Sequence, residues 1–199
     1  MNGEKSTIDD EQRYRASACA LLAALLREPP GAELLAHVEQ LSPQGDPGED
    51  ELSQAMAALA EAARDRDIEA LEDEYNALFI GVGRGELVPF GSWYLTGFLM
   101  EKPLSDLRDD LAALGFERNE ETREPEDHVA AIFEVFSVMI GDAFSHSEQH
   151  RFFVKHMKPW LGRFFADLAN AKSADFYKPV ARFGAAILDL ESAYLSMRS

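Results

Sequence analysis

Apolar residues recur at helical spacing along almost the whole chain, and this periodicity constrains the fold more than any other feature of the sequence. In the stretch 7–28, for example, the residues on one face are Tyr14, Ala18, Leu21, Leu22 and Leu25. No stretch alternates apolar and polar residues as a half-buried strand does. Prolines and glycines, such as Pro29 and Pro30, separate the periodic stretches. The sequence therefore predicts an all-α fold.

The helices should number roughly eight to ten and pack as a single globular domain. We expect them to cover 7–28, 31–41, 50–64, 68–79, 92–100 and 103–114 and to start again near 125, 146 and 179. Ser6 and Thr7 are the expected cap of the first helix, with residues 1–6 as a flexible N-terminus and residues 7–199 as the helical domain. Pro125 is expected as the first residue of its helix, because a helix start needs no N–H there.

The formal charge of −17 is the strongest compositional signal. Residues 1–144 carry 31 acidic and 11 basic groups, whereas residues 145–199 carry 5 acidic and 8 basic groups. Binding to nucleic acid or to an anionic membrane surface depends on clustered lysine and arginine, so both partners are disfavoured. A cationic partner would be attracted to the acidic part of the chain, although acidity also serves solubility alone.

Nothing in the sequence indicates export or a membrane span. No apolar run approaches the roughly 18 residues that a spanning helix needs, and the polar N-terminus lacks the pattern of a secretory signal. The only cysteine, Cys19, lies on an apolar helical stripe and is expected to be a buried small side chain rather than a reactive thiol. We therefore expect a cytoplasmic protein without an internal disulfide.

Two features leave an enzymatic interpretation open. The glycines of the segment 81–85 (GVGRG) could converge on a phosphate, but they follow a helix and lack the spacing of nucleotide-binding loops. A tight connection between helices is favoured. His146 and His150 have i, i+4 spacing, yet no glutamate accompanies them in a zinc-protease pattern. No metal or cofactor is predicted, and the alternative function is a metal- or nucleotide-dependent hydrolase that uses segment 81–85 or Glu124–His128.

The segment Glu124–His128 (EPEDH) is the strongest candidate for a binding centre. Proline at the first position and acids in the first turn are typical of a helix start, which accounts for Pro125 and Glu126. Asp127 could serve both the helix end and a ligand. His128 has no such structural explanation, because it lies at the edge of the apolar stripe, where it could orient a neighbour or titrate near neutrality.

Aromatic residues are dense between the glycine segment and the next helix: Phe79, Phe90, Trp93, Tyr94 and Phe98. They could fill the core beneath a loop, or they could line a groove that accepts an apolar peptide segment. With acids nearby, such a groove would suit a peptide that combines arginines with a hydrophobic stretch.

Three segments, in this order, resemble the TorD/DmsD-type family of redox-enzyme maturation chaperones. The first is YNALFIGVG at 75–83 with PFGSWYL at 89–95, similar to the family's Leu-Phe-x-Gly-Pro-Gly and Pro-aromatic-x-Ser-x-Tyr patterns. The second is EPEDHV at 124–129, and the third is HMKPWLGRF at 156–164, similar to His-x-x-Pro-Trp-x-x-x-Phe. The resemblance spans about residues 14–197.

The resemblance implies an all-helical cytoplasmic chaperone without catalytic activity. Such proteins bind the twin-arginine signal peptide, or the apo-form, of a molybdenum-containing oxidoreductase and delay its export until the cofactor is inserted. The residues carried over as peptide contacts or flanks of the groove are Asp127, His128, Glu124, Pro125, Ser92, Trp93, Tyr94 and Phe98. We expect Asp127 and Glu124 to meet the arginines, because a carboxylate accepts a guanidinium in bidentate geometry.

Two further questions stay open at the level of sequence. A helical scaffold without a peptide groove would leave Asp127 and His128 with no more than a capping role. A homodimer formed by domain swapping is compatible with hinges at the glycine segment 81–85 and at the loop 115–123. The client enzyme is not identified by any of these patterns.

Overall fold

The computed structural model describes residues 2–41, 50–64, 66–81, 84–117 and 124–197, of which residues 2–9 are described by their backbone alone. Within these ranges there are ten α-helices and no strand: α1 (Asn2–Arg27), α2 (Ala32–Glu39), α3 (Glu51–Ala63), α4 (Ile68–Tyr75), α5 (Gly91–Thr96), α6 (Lys102–Ala113), α7 (Val129–Gly141), α8 (His146–Phe152), α9 (Leu161–Asn170) and α10 (Tyr177–Ser196). Two π-helical segments, Asn76–Ile80 and Phe153–Met157, extend α4 and α8. The prediction of an all-α fold is confirmed.

The chain forms two compact units, each built from two stretches of sequence. The first unit comprises the chain up to Ala23 together with Pro89–Leu161. The second unit comprises Ala24–Val88 and the chain from Gly162 onward. The predicted boundaries, a flexible stretch 1–6 and a domain over 7–199, stay predictions.

In the first unit, α7 is the central apolar helix. Its buried residues are Val129, Ala130, Ile132, Phe133, Phe136, Met139 and Ile140. Each large side chain of this kind contributes about 1.5–3 kcal/mol when it leaves water. The next helix, α8, starts at a capping box in which Ser145 and Glu148 accept each other's backbone N–H. The apolar periodicity of α7 therefore predicted its buried face correctly.

The second unit is organised around α10, which buries eleven of its residues. Gly184 permits close packing there, because a Cβ at this position would lie 2.2 Å from the ring of Phe165. The N-terminus of α10 is capped from a distance by Glu74 of α4. One carboxylate oxygen of Glu74, Oε1, accepts the N–H groups of Asp175 (2.7 Å) and Tyr177 (2.9 Å), and the other, Oε2, accepts that of Phe176 (3.2 Å).

Several helix boundaries differ from the predicted ones. The first helix begins at Asn2 rather than at residue 7, so Ser6 and Thr7 are not its cap, although it ends before Pro29 as expected. The helix predicted over 92–100 ends at Thr96, because Gly97 adopts a left-handed φ of 83° and terminates it.

The helix expected from Pro125 begins at Val129 instead, and the residue that caps it is His128. Cys19 is fully buried, as predicted. The loop predicted over 42–48 and residues 118–123 of the loop 115–123 lie outside the described residues.

Candidate functional site

A pocket of about 170 Å³ lies in the first unit, in front of the N-terminus of α5. Its walls come from α5, the first half of α6, Asp127, and Ile132 of α7. The π-helical segment Phe153–Met157 and Trp160 complete them. Sites for drug-sized ligands usually measure about 300–1,000 Å³. This pocket therefore has room for one side chain or a comparably small group.

Asp127 forms the back of the pocket and holds the start of α5. This short helix has no side-chain cap of its own. The Oδ2 atom of Asp127 accepts the N–H of Ser92 at 2.7 Å, and the backbone oxygen of Asp127 accepts the N–H of Gly91 at 2.9 Å. A carboxylate at a helix N-terminus satisfies free N–H groups and complements the helix dipole. The residue is 3% exposed, so this capping takes place out of solvent.

Two polar atoms at this point are buried without a hydrogen-bond partner among the described residues. They are Oδ1 of Asp127 and Oγ of Ser92, which belong to residues that line the pocket. Leaving a buried polar atom unsatisfied costs about 1–3 kcal/mol, and more when the atom carries charge. A ligand that brought a cationic donor to Oδ1 would remove this cost.

His128 has a structural role that its sequence position did not reveal. It caps α7 through Nδ1, which accepts the N–H of Ala130 at 3.2 Å. Its ring meets the ring of Phe90 edge-on at 5.1 Å, and an isolated β-bridge joins the two residues. The carboxylate of Glu124 lies 3.9 Å from the same Nδ1. A ring nitrogen that accepts a hydrogen bond carries no proton, so an ion pair with Glu124 would require the cap to be released.

The prediction that Pro125 begins a helix is wrong for a physical reason. The backbone oxygen of Pro125 accepts the N–H of His128 at 3.1 Å, which closes a turn before the helix. The chain then pairs with an earlier segment, because the N–H of Val129 donates to the oxygen of Pro89 at 2.9 Å. This pairing over a long sequence separation takes precedence over the local preference of proline for a first helical position.

A cluster of three charged or titratable residues lies at the rim of the pocket. The Oδ2 atom of Asp110 contacts Nζ of Lys155 and Nε2 of His156, each at 2.6 Å. Burial lowers the pKa of His156 by more than the hydrogen bond with Asp110 raises it. For Asp110, partial burial favours the neutral form, but the hydrogen bonds from Lys155 and His156 outweigh it and lower its pKa. Asp110 is therefore ionised and His156 neutral near pH 7, with Nε2–H donating.

Trp160 forms a rigid wall of the pocket. Its indole N–H donates to the backbone oxygen of His156 at 2.7 Å. The π-helical geometry disturbs the regular backbone bonding here, since the N–H of Lys158 reaches back five residues to Phe153. Tyr94 packs against Trp160 with ring centroids 5.6 Å apart. A Cβ at Gly91 would come within 3.3 Å of the indole, so glycine lets α5 approach this wall closely.

Beside the pocket lies an exposed apolar surface, which we call the apolar ledge. It consists of Leu95, Phe98, Leu99 and Met100, whose exposed fractions range from 41% to 73%. Leu95 also lines the pocket, so the two features are continuous. These four large, exposed apolar side chains lie within six residues of sequence, and exposed apolar patches often mark binding surfaces.

The structure brings only two of the predicted peptide contacts, Ser92 and Asp127, into the pocket. Phe98 lies on the apolar ledge, and Trp93 and Tyr94 are half-buried on α5. The remaining predicted contacts are in the turn before α7: Glu124, Pro125 and His128. Their proposed contacts with a peptide stay predictions.

Several residues of the pocket were not among the predicted contacts. Those with a charged, polar or aromatic side chain are Asp106, Lys155, His156 and Trp160. The third sequence motif, at 156–164, contained two of them and was the signal available. Nothing local in the sequence pointed to Asp106, because it joins the site only through the packing of α6.

The glycine segment after α4 is a tight connection, as the favoured interpretation held. Gly81 has a left-handed φ of 61°, and a Cβ there would clash with the backbone of Arg84. At Gly85 a Cβ would clash with the backbone of Phe79. Both glycines are thus required by close packing, while Val82 and Gly83 lie outside the described residues.

Two features are absent from the described part of the chain. No group of three or more His, Cys, Asp or Glu side chains there could hold a metal ion. None of the helices described is both long and apolar enough to cross a bilayer.

Comparison with known proteins gives consistent matches. Residues 47–166 match the family model of the nitrate reductase delta subunit. The chaperone protein TorD of Vibrio parahaemolyticus is 28% identical over 166 residues, which cover 74% of this chain and 77% of that protein. TorD of Vibrio atlanticus is 24% identical over 162 residues, covering 75% and 74%. The crystal structure of a candidate redox enzyme maturation protein from Archaeoglobus fulgidus has the same fold, with a TM-score of 0.62, 18% identity and coverage of 88% and 93%.

Proposed function

This chain belongs to the family of the nitrate reductase delta subunit, the TorD-type chaperones of molybdoenzyme maturation, and we propose that its pocket binds the twin-arginine signal peptide of a molybdenum-containing oxidoreductase. On this proposal the protein holds the apo-form of its client in the cytoplasm, aids cofactor insertion and delays export until maturation. It acts by binding, without catalysis. The single observation that carries the proposal is Oδ1 of Asp127, which is buried without a hydrogen-bond partner among the described residues, in a pocket the size of one side chain.

An arginine side chain matches the chemistry of this pocket. A guanidinium carries five N–H donors and keeps its charge at all ordinary pH values. One donor would satisfy Oδ1 of Asp127, and a second would be accepted by Oγ of Ser92. Charge-assisted hydrogen bonds of this kind are about twice as strong as neutral ones. Supplying the missing hydrogen bonds of these two buried atoms would add to the affinity for the peptide.

The apolar ledge supports the second half of the recognition. A twin-arginine signal continues from its arginines into an apolar stretch. With one arginine in the pocket, the apolar stretch of the peptide would pass Leu95 and contact Phe98 and Met100 of the apolar ledge. The formal charge of −17 would also attract a cationic peptide to the protein and raise its association rate.

His128 and Glu124 take a different part in this proposal from the one their motif suggested. His128 fixes the turn that carries Asp127, because it caps α7 and packs on Phe90. Glu124 is exposed, so it is available to an arginine at the edge of the site. Glu126 holds the same turn against α6 through hydrogen bonds from Arg108 at 2.8 Å.

The test is a titration of a synthetic fluorescent peptide with two adjacent arginines followed by ten leucine and alanine residues. Asp127→Asn should weaken its binding at least tenfold, because the charge on Oδ1 is lost while the side chain keeps its shape. Asp109→Asn on α6 is the matched control, since it removes the same charge from an exposed position. A peptide with both arginines replaced by glutamine should bind the wild type at least as weakly as the arginine peptide binds Asp127→Asn.

Equal affinities of wild type and Asp127→Asn would contradict the proposal. So would equal binding of the arginine and glutamine peptides. The affinity of the arginine peptide should also fall as salt rises from 50 to 500 mM, because screening weakens contacts between charges near the surface.

A further inference from the structure

We infer that Asp110 is a second guanidinium-binding residue of the site and that Lys155 occupies it in the free protein as a cation that the bound peptide displaces. This inference rests on the proposed function, because it assumes that the ligand carries two adjacent arginines. One carboxylate, Asp127, receives an arginine in the pocket. The second arginine then needs an anion at the rim.

The geometry of α6 places two carboxylates along that rim. Asp106 lines the pocket, and Asp110 follows one helical turn later, about 6 Å along the axis. Each carboxylate is held by a lysine in the free protein. Lys102 contacts Asp106, and Lys155, itself a wall of the pocket, contacts Asp110. A cation of the protein itself thus stands where a cation of the ligand would be attracted.

The Asp110 contact has the features of an exchangeable ion pair. The side chain of Lys155 is 47% exposed and that of Asp110 is 36% exposed. A pair at this level of exposure contributes at most about fivefold to an equilibrium constant. His156 adds no competing charge, since burial lowers its pKa and keeps it neutral near pH 7. Among the described residues, the positive group to be moved from Asp110 is therefore the ammonium of Lys155.

An arginine would use Asp110 more fully than the lysine does. Both contacts of Asp110 fall on Oδ2, and Oδ1 accepts no hydrogen bond within the described ranges. A lysine ammonium is a point charge, whereas a guanidinium presents two parallel donors that match both oxygens of a carboxylate. His156 can stay in place on Oδ2, because a carboxylate oxygen accepts more than one hydrogen bond.

Lys155 and His156 both lie in the π-helical segment Phe153–Met157. Consecutive residues of a regular α-helix point about 100° apart, so they seldom reach the same oxygen. Here Lys155 and His156 both contact Oδ2 of Asp110. Such π-helical turns occur frequently at functional sites.

A resident cation has a functional consequence. It neutralises Asp110 in the free chaperone, and it limits the affinity for the peptide because the ion pair must be broken on binding. After partial release of the peptide, Lys155 can return to Asp110. This competition favours release of the client.

Titration of the same twin-arginine peptide against four variants tests the inference. Lys155→Arg keeps the net charge but holds Asp110 in bidentate geometry, so it should weaken peptide binding roughly threefold. Lys155→Met should tighten peptide binding roughly threefold. Lys158 is an exposed lysine three residues away, and Lys158→Met is the control that loses the same charge. It should change the affinity less than about 1.5-fold. Asp110→Asn should weaken binding roughly fivefold.

The double variant Asp110→Asn, Lys155→Met distinguishes displacement from simple repulsion. If Lys155 competes for Asp110, its removal should no longer tighten binding once Asp110 is neutral. Additive effects of the two substitutions, or an unchanged affinity for Lys155→Arg, would overturn the inference while the role of Asp127 stands. If wild type binds the arginine and glutamine peptides equally, the proposed function fails and the inference fails with it.

Discussion

Glu74 and Asp127 each cap the N-terminus of a helix far away in the sequence, and they differ in whether both carboxylate oxygens accept a hydrogen bond. In the second unit, Glu74 uses both oxygens on the backbone of Asp175–Tyr177 at the start of α10. In the first unit, the carboxylate of Asp127 uses only Oδ2 on the start of α5, and Oδ1 is buried with no partner in the part of the chain that the structure describes. Satisfied polar groups stabilise a fold, whereas an unsatisfied one is retained at a cost. We therefore propose that Glu74 serves the stability of the fold, whereas Asp127 serves ligand binding.

The largest effect that would test this contrast is expected at Glu74. Glu74→Ala removes the two oxygens that accept three N–H groups at the N-terminus of α10, and it should lower the free energy of unfolding by about 2–3 kcal/mol. Urea denaturation followed by circular dichroism measures this loss. The affinity for the twin-arginine peptide should not change. A weakened affinity in a folded Glu74→Ala variant would break the contrast between the two carboxylates.

A smaller effect is expected at the second unpartnered atom of the pocket. Ser92→Ala removes a buried hydroxyl that has no partner within the described ranges, so the unfolding free energy should stay within about 0.5 kcal/mol of wild type. The peptide affinity should fall roughly threefold, because one acceptor for the guanidinium is gone. Ser145→Ala is the matched control, since loss of its capping box should lower stability by about 1 kcal/mol without affecting binding. The opposite pattern would make Ser92 structural.

The smallest expected effect is a change of stability with pH, which should arise from His156 in the first unit and not from Glu86 in the second. The pKa of His156 is lowered in the folded protein, so the folded chain binds fewer protons than the unfolded chain below the usual histidine pKa of about 6.5. The contribution of His156 to stability should accordingly fall as the pH drops from 7 towards 5. Asp110 has a lowered pKa and keeps its contribution in that window. The pKa of Glu86, in the second unit, is also lowered, by hydrogen bonds from the backbone of Lys172 and Ser173, so it too does not titrate there.

Denaturation of wild type and His156→Gln at pH 7, 6 and 5 measures this difference. The wild type should lose more stability than the variant over the two units of pH. Parallel curves would show that His156 does not titrate differently in the folded and unfolded chains.

The helical class and most of the buried faces could be predicted from the sequence, because they depend on local periodicity. The stripe along α7 and the burial of Cys19 are examples. The C-terminal ends of α1 and α5 also have local causes, which are Pro29 and Gly97. Only the position of the second stop was misjudged, since a glycine inside an apolar stretch does not reveal its left-handed φ.

The site was only partly predictable, because its contacts join residues far apart in the sequence. Asp127 caps a helix that starts 36 residues earlier, and Lys155 reaches Asp110 across 45 residues. A sequence pattern could single out Asp127 as unusual, but it could not show which of its oxygens remains unpaired. The two π-helical segments are equally hidden, since their residues read as ordinary helix.

The pairing of Pro89–Ser92 with Asp127–Val129 has a consequence for the construction of chimaeric proteins. Three backbone or carboxylate hydrogen bonds and one ring contact join these two short stretches: Gly91 to Asp127, Ser92 to Asp127, Val129 to Pro89, and Phe90 with His128. Because each stretch is held by the other, we expect neither to keep its shape when its counterpart is exchanged. A chimaera between two such chaperones should therefore transfer both stretches as one module, and a graft of the EPEDH segment alone would carry the letters of the motif without its geometry.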